Sequence, residues 1–196
     1  MAQEILVHVE TREQLREWLA ANAASSPSVW LVTWRRPTGR PAPSYDEIVE
    51  EALCFGWVDS TARTLDEERG GLRLAPRKRG SGWARSNKIR VERLEREGRM
   101  TDAGRAVIER AKADGSWTLL DDVENLVVPD DLAAALAERP PAGDHFDAFP
   151  RGVRRSILEW IAQAKRPETR SRRVEETATL AARNERANQW VPKNQR

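Results

Sequence analysis

The apolar positions change period along the chain. Residues 4–9 (Glu-Ile-Leu-Val-His-Val) form a short apolar run of strand length, and 29–34 (Val-Trp-Leu-Val-Thr-Trp) is rich in β-branched and aromatic residues. Between them Thr11 and Gln14 make a capping-box start, and Leu15, Trp18 and Leu19 fall on one helical face. Three prolines and a glycine make 35–43 a loop. Ser44 and Glu47 form a second capping box and open a helix with Ile48, Val49, Ala52, Leu53 and Phe55 inward. Gly56 stops that helix, because glycine takes the left-handed conformation at little cost. Residues 57–65 then read as a strand, 66–71 as a charged turn, and 72–75 as the hairpin partner, with Pro76 ending the pairing. Strand, helix, strand, helix, hairpin predicts an α+β fold with a small mixed or antiparallel sheet of four to five strands.

The rest of the chain reads as helix. Ser86 caps a helix that runs to Glu97 and stops at Gly98, and Thr101 caps the next, which ends at Gly115. Pro129-Asp130-Asp131 opens a short one, and Pro140-Pro141 is a break. After Phe149-Pro150, the residues Val153, Ile157, Trp160, Ile161 and Ala164 share one face. Pro167 ends that helix and opens another. Residues 184–196 are polar and expected to fray, Trp190 notwithstanding. The expected division is an α+β domain over 1–122 and a helical C-terminal region over 123–196 packed on it.

Composition narrows the class. The chain has 196 residues, 33% charged and 39% hydrophobic, with eight tryptophans, which describes a folded, highly charged protein and not a disordered one. The net charge is only +2, but residues 114–147 hold nine acids against Arg139 alone, and 150–196 hold twelve basic residues against five acids. That asymmetry predicts a dipolar surface and an anion-binding face. There is one cysteine, and the only histidines are His8 and His145, so no metal-ligand spacing exists and neither metal nor cofactor is expected. No apolar run approaches the ~20 residues of a membrane span, and the N-terminus lacks a signal pattern, so a cytoplasmic protein without membrane insertion is expected.

Three stretches stand out as candidate chemistry. The first, 54–59, packs Cys54, Gly56, Trp57 and Asp59 together. Cys54 sits near a helix C-terminus, which does not lower a thiol pKa, so it reads as a packing residue. Strand alternation places Trp57, Asp59 and Thr61 on one face and Val58, Ser60 and Ala62 on the other. If Asp59 is buried it needs a partner, which Arg77 or Arg170 can supply, and its role is then either a structural ion pair or turn cap or part of a ligand site. The second stretch, 76–88, holds five basic residues, no acid, two glycines and Trp83, and leads into a helix start at Ser86-Asn87; that is the physics of an anion-binding loop. The third, 164–170, places Lys165 and Arg166 at a helix end and Arg170 in the next first turn.

Several segments carry a resemblance. Ala52-Leu53-Cys54-Phe55-Gly56-Trp57-Val58-Asp59, Pro76-Arg77, Ser81-x-Trp83-x-x-x-Asn87, Glu97-Gly98-Arg99-Met100, Ala103-Gly104 and 164–170 together resemble the YdeI/OmpD-associated, bacteriocin-protection family over residues ~5 to ~185. Ser60, Ala75 and Ala84 depart from its usual Gly, Thr and Ser. The resemblance implies a small bacterial protein tied to bacteriocin protection or stress resistance, and brings no catalytic residues with it. From the residues, the expected role is binding of a small anionic or phosphorylated ligand, or an acidic protein surface, by Trp57, Asp59, Arg77, Trp83, Asn87, Lys165 and Arg170. The rivals are an enzyme using Cys54 or Asp59, and a nucleic-acid binder using basic residues with Trp83 and Trp190.

Overall fold

A computed structural model describes residues 4–189; Trp190 lies outside them. The chain divides into two compact units. One comprises the residues up to Ser81 together with Ser86–Trp117, and the other Gly82–Arg85 together with Thr118 onward.

The first unit is built on four strands: β1 (Leu6–His8), β2 (Val29–Trp34), β3 (Trp57–Thr64) and β4 (Arg69–Pro76). Their order is β1-β2-β4-β3, with β1 parallel to β2 and the remaining pairs antiparallel. The mixed sheet follows from the connections, since helix α1 (Arg12–Asn22) carries the chain from β1 to its parallel neighbour while β3 and β4 are joined by a hairpin. Helix α2 (Tyr45–Cys54) starts where the sequence places it. The Ser44 hydroxyl accepts from the Glu47 amide, and the Glu47 carboxylate accepts from the Ser44 amide at 2.7 Å. The inner sheet face and these two helices bury Val9, Leu15, Leu19, Leu31, Trp57 and Leu74 in one core. Each such aliphatic side chain contributes about 1.5–3 kcal/mol. Helices α3 (Arg85–Arg96) and α4 (Asp102–Ala113) complete the unit.

Two local features differ from the sequence pattern. Strand β4 begins at Arg69, so Gly70 and Gly71 are ladder residues and not turn. The turn is shorter because Asp66 accepts from the amides of Glu68 and Arg69, and the Trp30 ring occupies the space a side chain at Gly71 would need: a Cβ there would stand 3.3 Å from its Cε3. The second is a bulge between Asp59 and Ala62. Alternation holds from Trp57 to Asp59 and then shifts, so Ala62 pairs with inward Leu72, and Arg63 pairs with Gly71 on the outer face.

The second unit is helical: α5 (Asp121–Glu124), α6 (Asp130–Ala137), α7 (Ala142–Ala148), α8 (Arg151–Ala162) and α9 (Pro167–Ala182). Leu132, Phe146, Ile157, Ile161, Ala178 and Ala181 are the centre of its core. Pro150 and Pro167 sit at or next to the helix starts, where a missing N–H costs nothing.

Candidate ligand-binding site

The segments around Gly56 form a structural joint. Gly56 has φ +73, and a Cβ there would meet Val107 Cγ2 at 2.6 Å, so only glycine both ends α2 and admits α4 this closely. Gly104 makes the same allowance from the other side, since its Cβ would lie 2.3 Å from the Cys54 carbonyl oxygen. Thr101 caps α4 through the Gly104 amide and donates its hydroxyl to that carbonyl at 2.6 Å. The hairpin returns the chain to this point, where the Arg77 amide donates to the Gly56 carbonyl at 3.0 Å.

The expected site residues fall into distinct settings. Trp57 is buried and donates its indole N–H to the Ala23 carbonyl. Asp59 is half-buried and accepts from the Tyr45 hydroxyl at 2.7 Å, which holds Tyr45 protonated and pushes its pKa up to about 12. Arg77 is 7% exposed; burial pushes its pKa down to about 10 while the charge of Asp59 opposes the shift. The charge of Asp59 thus reaches a largely desolvated guanidinium. Trp83 is buried and belongs to the second unit, with neighbouring Gly82 against Leu120 and Arg85 donating to Asn125 at 2.6 Å. Asn87, in the first unit, accepts from Arg90. Lys165 is exposed. Arg170 is bound through two hydrogen bonds to Asp131, at 2.7 and 2.9 Å, which hold that carboxyl below its usual range. Cys54 is fully buried, and burial followed by the charge of Glu51 pushes its thiol up, the reverse of an activated nucleophile.

Where the basic stretch meets the sheet, the outer face opens into a recess of about 640 Å³. Arg73 and Lys78 supply its charge, Ser28, Ser60 and Ser81 its hydroxyls, and Val58, Ala75 and two prolines its walls. Among the described lining residues there is no acid. Arg73 and Lys78 are exposed, and Arg73 donates to the Ser28 hydroxyl at 3.3 Å. Part of the loop's own anion affinity is met internally, where the Gly80 amide donates to Asp114 at 3.3 Å. A larger groove of about 720 Å³ lies between α3 and α4, but its charges cancel: Arg105 pairs with Glu95 and Lys112 with Glu109. In the second unit, a recess of about 250 Å³ over Leu158 and Ile161 has Arg170 at its rim.

Sequence reasoning passed over one cluster. Glu50 and Glu51 of α2 are both buried. Arg12 at 2.6 Å, Arg16 at 2.8 Å and Arg99 at 2.5 Å surround Glu51, while Arg12 and Arg93 bind Glu50. The signal was available, because Glu51 sits three residues after Ile48 and four before Phe55 on the helix's apolar stripe. A carboxylate there must gather cations. The cluster joins α1, α2, α3 and the α3–α4 turn through the two carboxylates.

The mixed four-stranded sheet and the helical unit after it define a small α+β protein with a helical C-terminal part. Residues 7–107 match a domain of unknown function, DUF8412, and residues 125–184 match the family described as Bacteriocin-protection, YdeI or OmpD-Associated. Residues 125–184 thus form a domain of that bacteriocin-protection family, and the chain's N-terminal half belongs to the DUF8412 family. No curated protein and no solved structure matches it. Of the segments that carry the resemblance, only 164–170 lies inside the 125–184 match; the others fall within 7–107. Among the described residues no helix is long and apolar enough to cross a membrane.

Proposed function

We propose that the chain serves bacteriocin protection or stress resistance by binding, without catalysis, a small phosphorylated or otherwise anionic ligand in the outer-face recess of the sheet. The observation that carries this reading is the meeting of Arg73 and Lys78 with three serine hydroxyls around one cavity whose described lining has no acid. Two cations with hydroxyl donors are what a phosphate needs, since charge-assisted hydrogen bonds are about twice as strong as neutral ones. Arg77, next to Lys78 in the chain, is anchored at the hairpin end by its amide on the Gly56 carbonyl.

Thermal unfolding with added inorganic phosphate tests the reading. Phosphate stabilises the wild type, and at a hundred times its dissociation constant the gain is about 2.7 kcal/mol. In the double variant Arg73→Ala, Lys78→Ala the gain disappears. A double variant that responds like the wild type overturns the assignment, and loss of the response in Arg170→Ala instead moves the site to the second unit.

A further inference from the structure

Resting on the anion-site reading, we infer that the ligand is a nucleoside phosphate, with its phosphate on Arg73 and Lys78 and its base stacked on the adjoining Trp30–Arg63 pair. The sheet's outer face supplies the platform. Trp30 on β2 is the direct cross-strand partner of Arg73 on β4, so the two side chains leave the same face with Cβ atoms about 5 Å apart. Trp30 lies over Gly71, and the bulge in β3 brings Arg63 over the indole, its Cζ 3.8 Å from the ring centroid. Glu4 fixes both members: it accepts from the indole N–H at 3.1 Å and takes two hydrogen bonds from Arg63 at 2.7 and 3.3 Å. A guanidinium held at stacking distance on an indole is a surface on which bases stack in single-stranded nucleic-acid and nucleotide sites.

Size points the same way. A recess of about 640 Å³ far exceeds what inorganic phosphate fills and lies within the range of about 300–1,000 Å³ that holds small organic ligands. Trp30 and Arg63 lie outside the recess lining, but Trp30 faces Arg73 directly across the strands, so the platform adjoins the cation side of the recess. The three serines offer hydroxyl partners for the sugar or for the phosphate. The platform is not explained by core packing alone. Trp30 remains half-buried and Arg63 keeps about a third of its side-chain surface, so the stacked pair is accessible.

Calorimetric titration of the full chain with inorganic phosphate, ribose 5-phosphate, adenosine 5′-monophosphate and adenosine separates the two claims. The nucleotide binds about tenfold tighter than ribose 5-phosphate, the lower end of what stacking one base supplies. Arg63→Ala erases that tenfold difference and leaves ribose 5-phosphate binding unchanged; Trp30→Phe, which keeps a ring over Gly71, retains part of it. Equal affinity for nucleotide and sugar phosphate overturns the nucleoside assignment and leaves the anion site standing. Adenosine binding as tightly as the nucleotide also overturns it, because the phosphate then contributes nothing. Binding of a single-stranded oligonucleotide in the absence of mononucleotide binding replaces it with a polymer site. Failure of every phosphate to bind removes the anion site as well.

Discussion

Tyr45 is the chain's only tyrosine, which makes the Asp59 carboxylate observable. The hydrogen bond at 2.7 Å is the largest cause of the raised phenol pKa, about 12 against an ordinary 10.0. A raised pKa here means that the folded chain keeps its proton longer than the unfolded one. The stability this supplies is therefore complete below pH 10.0 and lost as the pH climbs toward about 12. Tyr45 is 57% exposed, so solvent screening keeps the energy small even though the titration is displaced. Phenolate absorbance of the native wild type should rise near pH 12, and Asp59→Asn should bring the midpoint back toward 10; a wild-type midpoint at 10 contradicts the pair. Cys54 illustrates a residue whose sequence context was sufficient. Its place at a helix C-terminus on the apolar side foretold a packed thiol, and it is fully buried.

Among the elements, α2 is the one on which the first unit depends. Its caps were readable because capping is local: Ser44 and Glu47 are three residues apart and need nothing else. Its buried carboxylates were readable in principle from the helical stripe, but their partners were not, because Arg12, Arg16, Arg93 and Arg99 come from three separate segments. Removing Glu51 leaves guanidinium groups facing one another without their counter-ion. Glu51→Ala should cost about 3 kcal/mol, at the low end of the range for breaking a buried pair, because Arg16 and Arg99 are themselves about a third exposed. Urea denaturation should show a lower midpoint at unchanged slope, whereas a wild-type midpoint means that the cluster contributes no net stability. The β3 bulge and the early start of β4 were hidden from the sequence for a similar reason. Both depend on the fit of Trp30 over Gly71 and of Arg63 over Trp30, contacts between strands far apart in the chain.

For the molecule as a whole, the charge asymmetry of the sequence is largely resolved within the second unit. Its acidic and basic segments pair with each other: Arg170 with Asp131, Arg155 with Glu124, Arg139 with Glu175. The excess of C-terminal cations is thus much reduced as a source of anion affinity. A recess whose described lining holds cations and no acid lies on the sheet, with Arg73 and Lys78 as its charges. The sequence drew attention to 76–88 through its density of basic residues, and Lys78 and Ser81 of that stretch do line the recess. It could not show that Ser28, Ser60 and Arg73 join them, because these are single polar residues whose convergence depends on sheet register. The measurement that tests the binding account most directly is a two-dimensional NMR titration of the full chain with phosphate. The account predicts saturable shifts concentrated at the backbone amides of Ser28, Ser60, Arg73, Lys78 and Ser81. Shifts centred instead on Lys165 and Arg170, or no saturable shift at all, contradict it.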